Sequence, residues 1–335
     1  MAEKKIQDKL FQLIREGLPP SVALIDAVSE ALHISTDSAY RRLRGETPLV
    51  LDEVAALCRR FSLSLDLLMG TPSNAVVFQP VLVNNSGHTF DNYLSGLIQS
   101  LQYISSFKQK EIVYLSKDIP FFHYFNSKPL FAFRYFFWMK TILQHPGFIN
   151  QTFSIAHIDP AIEAKAQELS RLYANIPSTE IWNSEGINSM LSQIKYYKEA
   201  GYFASDAEIT LLYEGLRQTL EHINRQAEWG CKYLPGENPE LRPQNYNLYV
   251  NQVVIGDNTI LVTLDGKKSV YINYDVLNYM TTGDVAFCAE TAEKLQNLMR
   301  RATIISSVSE KQRSLFFNEL LKKIPAAHSN YSTVR

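Results

Sequence analysis

The stretch "ISTDSAYRRLRGE", residues 34–46, sets three arginines within four positions and closes on a glycine and a glutamate. Its spacing predicts a short helix. Ser35 can cap it, Asp37 falls in the first turn where the helix dipole favours an anion, and Gly45 suits the position just past the C-terminus. A helix turns by about 100° per residue, which puts Ala39 and Leu43 on one face. Asp37, Ser38, Arg41 and Arg44 fall on the opposite face, with Tyr40 and Arg42 on the flanks.

The flanking sequence also breaks into short helices. Ile6, Leu10, Leu13 and Ile14 recur at helical spacing before Gly17. After Pro19 and Pro20, Ser21 is the expected N-cap of a second helix carrying Val22, Ile25, Val28 and Leu32 as its apolar stripe. A fourth helix is expected over Leu51 to Phe61, burying Val54, Leu57 and Cys58, and "SLSLDLLMG" adds a fifth. Several short helices with a tight turn between the second and third predict a helix-turn-helix unit over residues 1–70. A helix fits the DNA major groove and its N-terminal residues reach base edges. Asp37, Ser38 and Arg41 are then the candidate base readers, and Thr36, Tyr40, Arg42 and Arg44 the candidate phosphate contacts, to which the resemblance given below adds Ser21.

Bulk charge gives this reading no help. The chain of 335 residues has a net charge of −1, and residues 1–70 hold nine Lys/Arg against ten Asp/Glu. Any affinity for nucleic acid must come from a local patch. The competing reading treats the three arginines as a solvated face of an interaction module that does not bind DNA.

"DSAYRRLRGE", followed by "LDEVAALCRRFSLSLD" and "SLDLLMG", resembles the lambda-repressor-like helix-turn-helix of bacterial regulators, and more narrowly a group carrying an "SAYRRLRGE" signature. "KDIPFFHYF", "STEIW" and "ISSVSEKQRSLFFNELLKKI" extend the likeness over most of the chain. The resemblance implies a transcription regulator whose Ser35–Arg44 helix reads double-stranded DNA. The polar residue that often opens the second helix in that superfamily has no clear counterpart here, with Ser21 the nearest candidate.

"TPSNA" begins a linker, residues 71–77, before a mixed region over 78–325 and a tail over 326–335. The region reads as α+β and mostly α. "VVFQPVLV" is a strand interrupted by Pro80, a helix starts near Asp91, and "EIVYLS" is a buried strand. Helices are expected near 160–174, 185–200, 206–229, 291–301 and 309–323. Leu315, Phe316, Leu320 and Ile324 are the expected inward residues of the last. "YNLYVNQVVIG", "TILVTLDG" and "KSVYINYD" read as a C-terminal antiparallel meander, with "DVAFCAE" as a further strand. The aromatic run "FFHYFNSKPLFAFRYFFWM" reads as core, with a pocket for a small apolar ligand as its functional alternative.

Ile209, Tyr213, Leu216, Leu220 and Ile223 step like a heptad seam, which suggests either packing within the domain or a homodimer contact. A pair of helix-turn-helix units is the economical way to read a pseudo-palindrome, and an effector ligand would act through the larger region.

No phosphate-binding glycine loop, nucleophile elbow or metal-ligand spacing is present, so no cofactor and no catalytic activity are expected. Asp118 with His123, and Glu221 with His222, are possible carboxylate–histidine pairs of the kind that is usually structural. Cys58, Cys231 and Cys288 are odd in number and widely spaced, which fits a reducing cytoplasm. The N-terminus lacks the apolar core of a signal peptide, and no stretch is long and apolar enough to span a membrane.

Overall fold

The computed structural model describes residues 6–18, 22–61, 63, 65–69, 76–81, 90–252 and 256–325. The chain divides into two units, Met1–Val77 and Phe78–Arg335, and its class is α+β with helix predominating. The expected tail and the first five residues of the expected linker lie outside the described residues.

Among its described residues the first unit contains five helices: α1 (Ile6–Gly17), α2 (Leu24–Leu32), α3 (Thr36–Leu43), α4 (Leu51–Arg60) and α5 (Leu65–Met69). Leu10, Phe11, Ile14, Val28, Ala39, Leu57 and Leu68 form its core. Each helix contributes one apolar stripe, so none is buried all round. Val54 and Cys58 are half-buried against this core, while Val22 and Ile6 are exposed. The expected cap Ser21 lies outside the described residues. Ala23 occupies the N-cap position of α2 and makes no side-chain cap bond.

The second unit is built on one eight-stranded sheet. Its strands are β1 (Gln79–Val81), β2 (Lys110–Leu115), β3 (Ser178–Trp182), β4 (Tyr246–Val250), β5 (Thr259–Leu264), β6 (Lys267–Asn273), β7 (Tyr279–Thr282) and β8 (Thr303–Ile304), in the order β1-β7-β6-β5-β2-β3-β4-β8. Strands β2, β3 and β4 run parallel, and every other pairing is antiparallel. Pro80 sits on the edge strand β1, where a missing N–H costs no ladder bond to a second neighbour. Helices α6 (Phe90–Ser106), α7 (Phe121–Tyr124), α8 (Lys128–Phe137), α9 (Pro146–Ile149), α10 (Pro160–Asn175), α11 (Asn188–Glu199), α12 (Asp206–Trp229), α13 (Val285–Arg300) and α14 (Glu310–Lys323) complete the unit. A π-helical turn, Trp138–Ile142, continues α8.

Alternation along the strands separates two cores. Ile112, Tyr114, Trp182, Tyr246, Leu248 and Val262 face the large core shared with α6, α8, α10, α12 and α14. Val113, Leu115, Ile181, Leu261 and Val270 face a smaller core closed by Cys288 and Leu295 of α13. A central strand covered on both faces has no polar side, and all of β3 is buried. The aromatic run of α7 and α8 forms much of the large core, with Phe131 and Phe133 fully inside.

Several expectations need correction. β4 pairs parallel with β3 and antiparallel with β8, so the meander consists of β5, β6 and β7 and does not include "YNLYV". "DVAFCAE" is the start of α13, because the Asp284 carboxylate accepts the Phe287 N–H at 2.8 Å and caps a helix there. Leu315 points outward at 61% exposure, and Phe317 takes an inward place beside Phe316 and Leu320.

The proposed dimer seam is also corrected. Ile209, Leu216, Leu220 and Ile223 are buried in the unit's own large core and Tyr213 packs against it, so the stripe has no surface left for a second chain. Leu220→Ala should therefore destabilise the chain by about 2–5 kcal/mol, and that loss relative to wild type should be the same at two protein concentrations. Leu315→Ala should stay within about 0.5 kcal/mol of wild type. Urea unfolding at two protein concentrations checks both.

Candidate nucleic-acid interface

The reader helix is placed by two turns. At the end of α2, His33 adopts φ 54°, a left-handed conformation that His tolerates better than most non-glycine residues. The N–H groups of His33 and Ile34 close back on Glu30 O and Ser29 O, and Ser29 Oγ donates to Ile34 O at 2.6 Å. The chain therefore reverses in three residues and enters α3. Ser35 Oγ accepts the Ser38 N–H at 3.3 Å, as its cap position requires.

At the other end, Gly45 has φ +73°, and α3 closes with two reverse bonds. The Gly45 N–H donates to Arg42 O and the Glu46 N–H to Arg41 O, which satisfies the last carbonyls of the helix. The eight residues of α3 span about 12 Å, and the B-DNA major groove is wide enough to admit the cross-section of an α-helix.

Ala39 is buried and anchors α3 to the core, with Leu43 half-buried beside it. Thr36, Asp37, Tyr40, Arg41 and Arg44 are exposed, and Ser38 is half-buried. Arg41 Nη2 lies 3.2 Å from Asp37 Oδ2 one turn earlier. The Arg44 guanidinium lies over the Tyr40 ring at 4.3 Å, donates to the Tyr40 hydroxyl at 3.0 Å and approaches Glu46 at 3.6 Å. These contacts hold two cations and an aromatic ring outward along one edge of the helix.

Arg42 has a different position from the one expected of a phosphate contact. Its Nη2 donates to Glu53 Oε1 at 2.7 Å and its Nε to Glu53 Oε2 at 3.1 Å, a two-pronged pair between α3 and α4. Nη1 also returns to Ser38 O at 3.2 Å. Both partners are less than one-fifth exposed, so the guanidinium is engaged inside the unit. The hydrogen bond from Arg42, aided by the Val50 N–H, holds the Glu53 carboxyl below its ordinary range against the opposing effect of burial.

Gln7 of α1 completes the brace. Its Nε2 donates to Arg42 O and Thr47 O at 2.7 and 3.0 Å, and its Oε1 accepts the Leu49 N–H at 3.0 Å. One amide thus fixes the loop that joins α3 to α4. Sequence reading passed over it because its partners lie 35 to 42 residues away and nothing local marks them.

The second unit holds the other clusters of ionisable groups. His123 pairs with Glu180 at 2.9 Å and not with Asp118, and His222 bonds Tyr233 O at 2.8 Å and not Glu221. Burial pushes the His222 imidazole down to about 4, so it stays neutral near pH 7. Among the described residues no His, Cys, Asp and Glu side chains group as a metal site would require, and no helix is long and apolar enough to cross a membrane.

No family model and no curated protein matches the chain. Among solved structures, the chain is similar to TrmBL2, an archaeal chromatin protein whose structure shows a novel mode of DNA binding. The identity is 12%, the match covers 89% of this chain and 100% of that one, and the TM-score is 0.26. A TM-score that low carries no argument about the site.

The Arg42–Glu53 pair has a consequence for acid stability. Glu53 has a folded value below its unfolded value of about 4.3. Its contribution is therefore complete above the unfolded value and is lost as pH falls through the folded one. Amide protection factors in α3 should fall below about pH 4.3, and Glu53→Gln should be lower at neutral pH and flatter across that window. A wild-type profile as flat as the variant's would remove the pair from the account.

Proposed function

We propose that the chain is a sequence-specific DNA-binding transcription regulator of the lambda-repressor-like kind, with α3 as its reader helix. The observation that carries this reading is the exposed edge of α3. Arg41 and Arg44 project from a capped helix, and that helix is fixed from behind by Ala39, Gln7 and the Arg42–Glu53 pair. Arginine donors held in a fixed fork suit guanine edges, and a second arginine one turn fraction away suits phosphate. In this reading Arg41, Asp37 and Ser38 address bases. Arg44, Tyr40 and Thr36 address the backbone, and Arg42 acts by holding α3 in place.

The reading places the protein in the cytoplasm with its DNA and assigns it no catalytic step. A single eight-residue helix offers few base contacts. Two copies on a pseudo-palindromic site supply the missing specificity through matched symmetry. Their contact lies elsewhere than the buried stripe of α12.

Arg41→Ala should weaken binding to the preferred sequence by about 1–3 kcal/mol and leave random-sequence binding nearly unchanged. Arg44→Ala should weaken binding to all sequences and lower the salt slope by about one. Arg42→Ala should lose binding in parallel with thermal stability of the first unit. Fluorescence anisotropy with DNA selected from a random library, across a salt series, reads all three. No selected sequence above background would refute DNA reading and favour an interaction module.

A further inference from the structure

The second unit encloses a cavity of about 760 Å³ between α6 and the antiparallel half of the sheet. That volume is in the range of small-molecule sites. Its walls are largely apolar and aromatic, from residues such as Leu97, Leu101, Tyr93, Val262, Tyr271 and Tyr279. Polar residues interrupt this lining, and two of them stand on one face of α8 and its π-helical continuation. Arg134 is 8% exposed and Trp138 is 3% exposed, and they stand four residues apart, one above the other.

Neither group is satisfied by the protein. The Arg134 Nε–H and the Trp138 Nε1–H have no hydrogen-bond partner. Among the described residues no ion pair involves the Arg134 guanidinium. The guanidinium lies over the rings of Tyr124 at 5.0 Å and Trp138 at 5.4 Å. Ring faces offset part of the cost of burying a guanidinium, but they leave the Nε–H without an acceptor. A buried cation and an adjacent buried N–H call for an acceptor that carries negative charge.

The acids near the cavity mouth do not supply it. Asp275 accepts from Leu277, Asn278 and the Asn278 side chain in its own turn, and Asp257 pairs with Lys117 at 3.6 Å. Glu185 is taken by Asn188 and by Lys323. Asp118 makes no ion pair or hydrogen bond with Arg134; desolvation raises its carboxyl, and the charges of Arg134 and Lys117 act against that from a distance.

We propose that this cavity binds a small molecule made of a single carboxylate on a flat apolar body, with the carboxylate seated on Arg134 and Trp138. A carboxylate presents two coplanar oxygens. Arg134 can donate along one edge of its fork while Trp138 donates to the second oxygen. The aromatic walls then receive the body. Gln193, whose Oε1 is a buried acceptor without a partner on the same cavity, can read a donor elsewhere on the ligand.

The test compares pyrenebutyrate with pyrenebutanol, which differ in the head group alone, by calorimetric titration of the full chain without DNA. The acid should bind one per chain and at least tenfold tighter than the alcohol. Arg134→Met should erase that preference while leaving the alcohol's affinity within about threefold. Trp138→Phe, which keeps the ring packing and deletes one donor, should reduce the preference severalfold. Equal binding of acid and alcohol, binding of neither, or a full preference in folded Arg134→Met would overturn the proposal. If Arg134→Met fails to fold, the wild-type ratio and Trp138→Phe decide the outcome. Because no DNA enters the assay, its result is independent of the proposed DNA reading.

Discussion

The carboxylate of Glu180 is the constraint around which the second unit is arranged. It sits in the middle of β3 with no exposure, and burying an isolated charge there costs several kcal/mol. Donors from four elements converge on it. His123 of α7 donates at 2.9 Å, Tyr173 of α10 at 2.6 Å, Trp182 of β3 at 2.9 Å and Tyr246 of β4 at 3.1 Å. Desolvation pushes the carboxyl up, but His123, Lys232 and Tyr173 outweigh it and hold it below its ordinary range. Lys232 lies over the Tyr173 ring at 3.6 Å and donates to Tyr173 O, and burial lowers its amine to about 7. A carboxylate has about four lone-pair sites, and all are used here. The acceptor therefore fixes where α7 and α10 stand over the parallel strands, and Tyr173 carries that order to the wall of the cavity.

This contrast with Arg134 is informative. Glu180 and Arg134 are both buried ionic groups in one unit, yet one is saturated and the other lacks acceptors. A fold that satisfies one charge from four directions shows what internal compensation looks like. Arg134 instead rests on ring faces at 5.0 and 5.4 Å, which orient it without using its hydrogens. The physical difference lies in the lining. Glu180 is enclosed by side chains on every side, and Arg134 borders open volume.

What the sequence made legible was local. Ser35 is the cap expected of it, and Asp159 with Pro160 and Asp265 with Gly266, which likewise act within two or three residues, serve as helix start and two-residue hairpin turn. β3 was missed because "STEIW" places an acid at the centre of a fully buried strand, and no alternation betrays a strand covered on both faces. β4 was assigned to the meander because proximity in sequence favours hairpins, whereas one long crossover through α11 and α12 brings it beside β3. The exposed edge of α3 was readable from helical geometry alone. The Arg42–Glu53 pair was not, since the wheel puts Arg42 on a flank and says nothing of a partner eleven residues later.

That pair also decides how the arginines divide their work under the proposed DNA reading. The first unit is nearly charge-balanced, so long-range attraction concentrates little DNA, and affinity must come from short-range donors. Asp37–Arg41 and Arg44–Tyr40 are exposed contacts that solvent screens, so either arginine can leave its partner for a base edge or a phosphate at little cost. The Arg42–Glu53 pair is two-pronged and mostly buried, and opening it would strand an ionised carboxylate against α4. Three arginines that look equivalent in "YRRLR" are thus separated by burial alone: two can be lent to a ligand, while the third holds the helix that presents them.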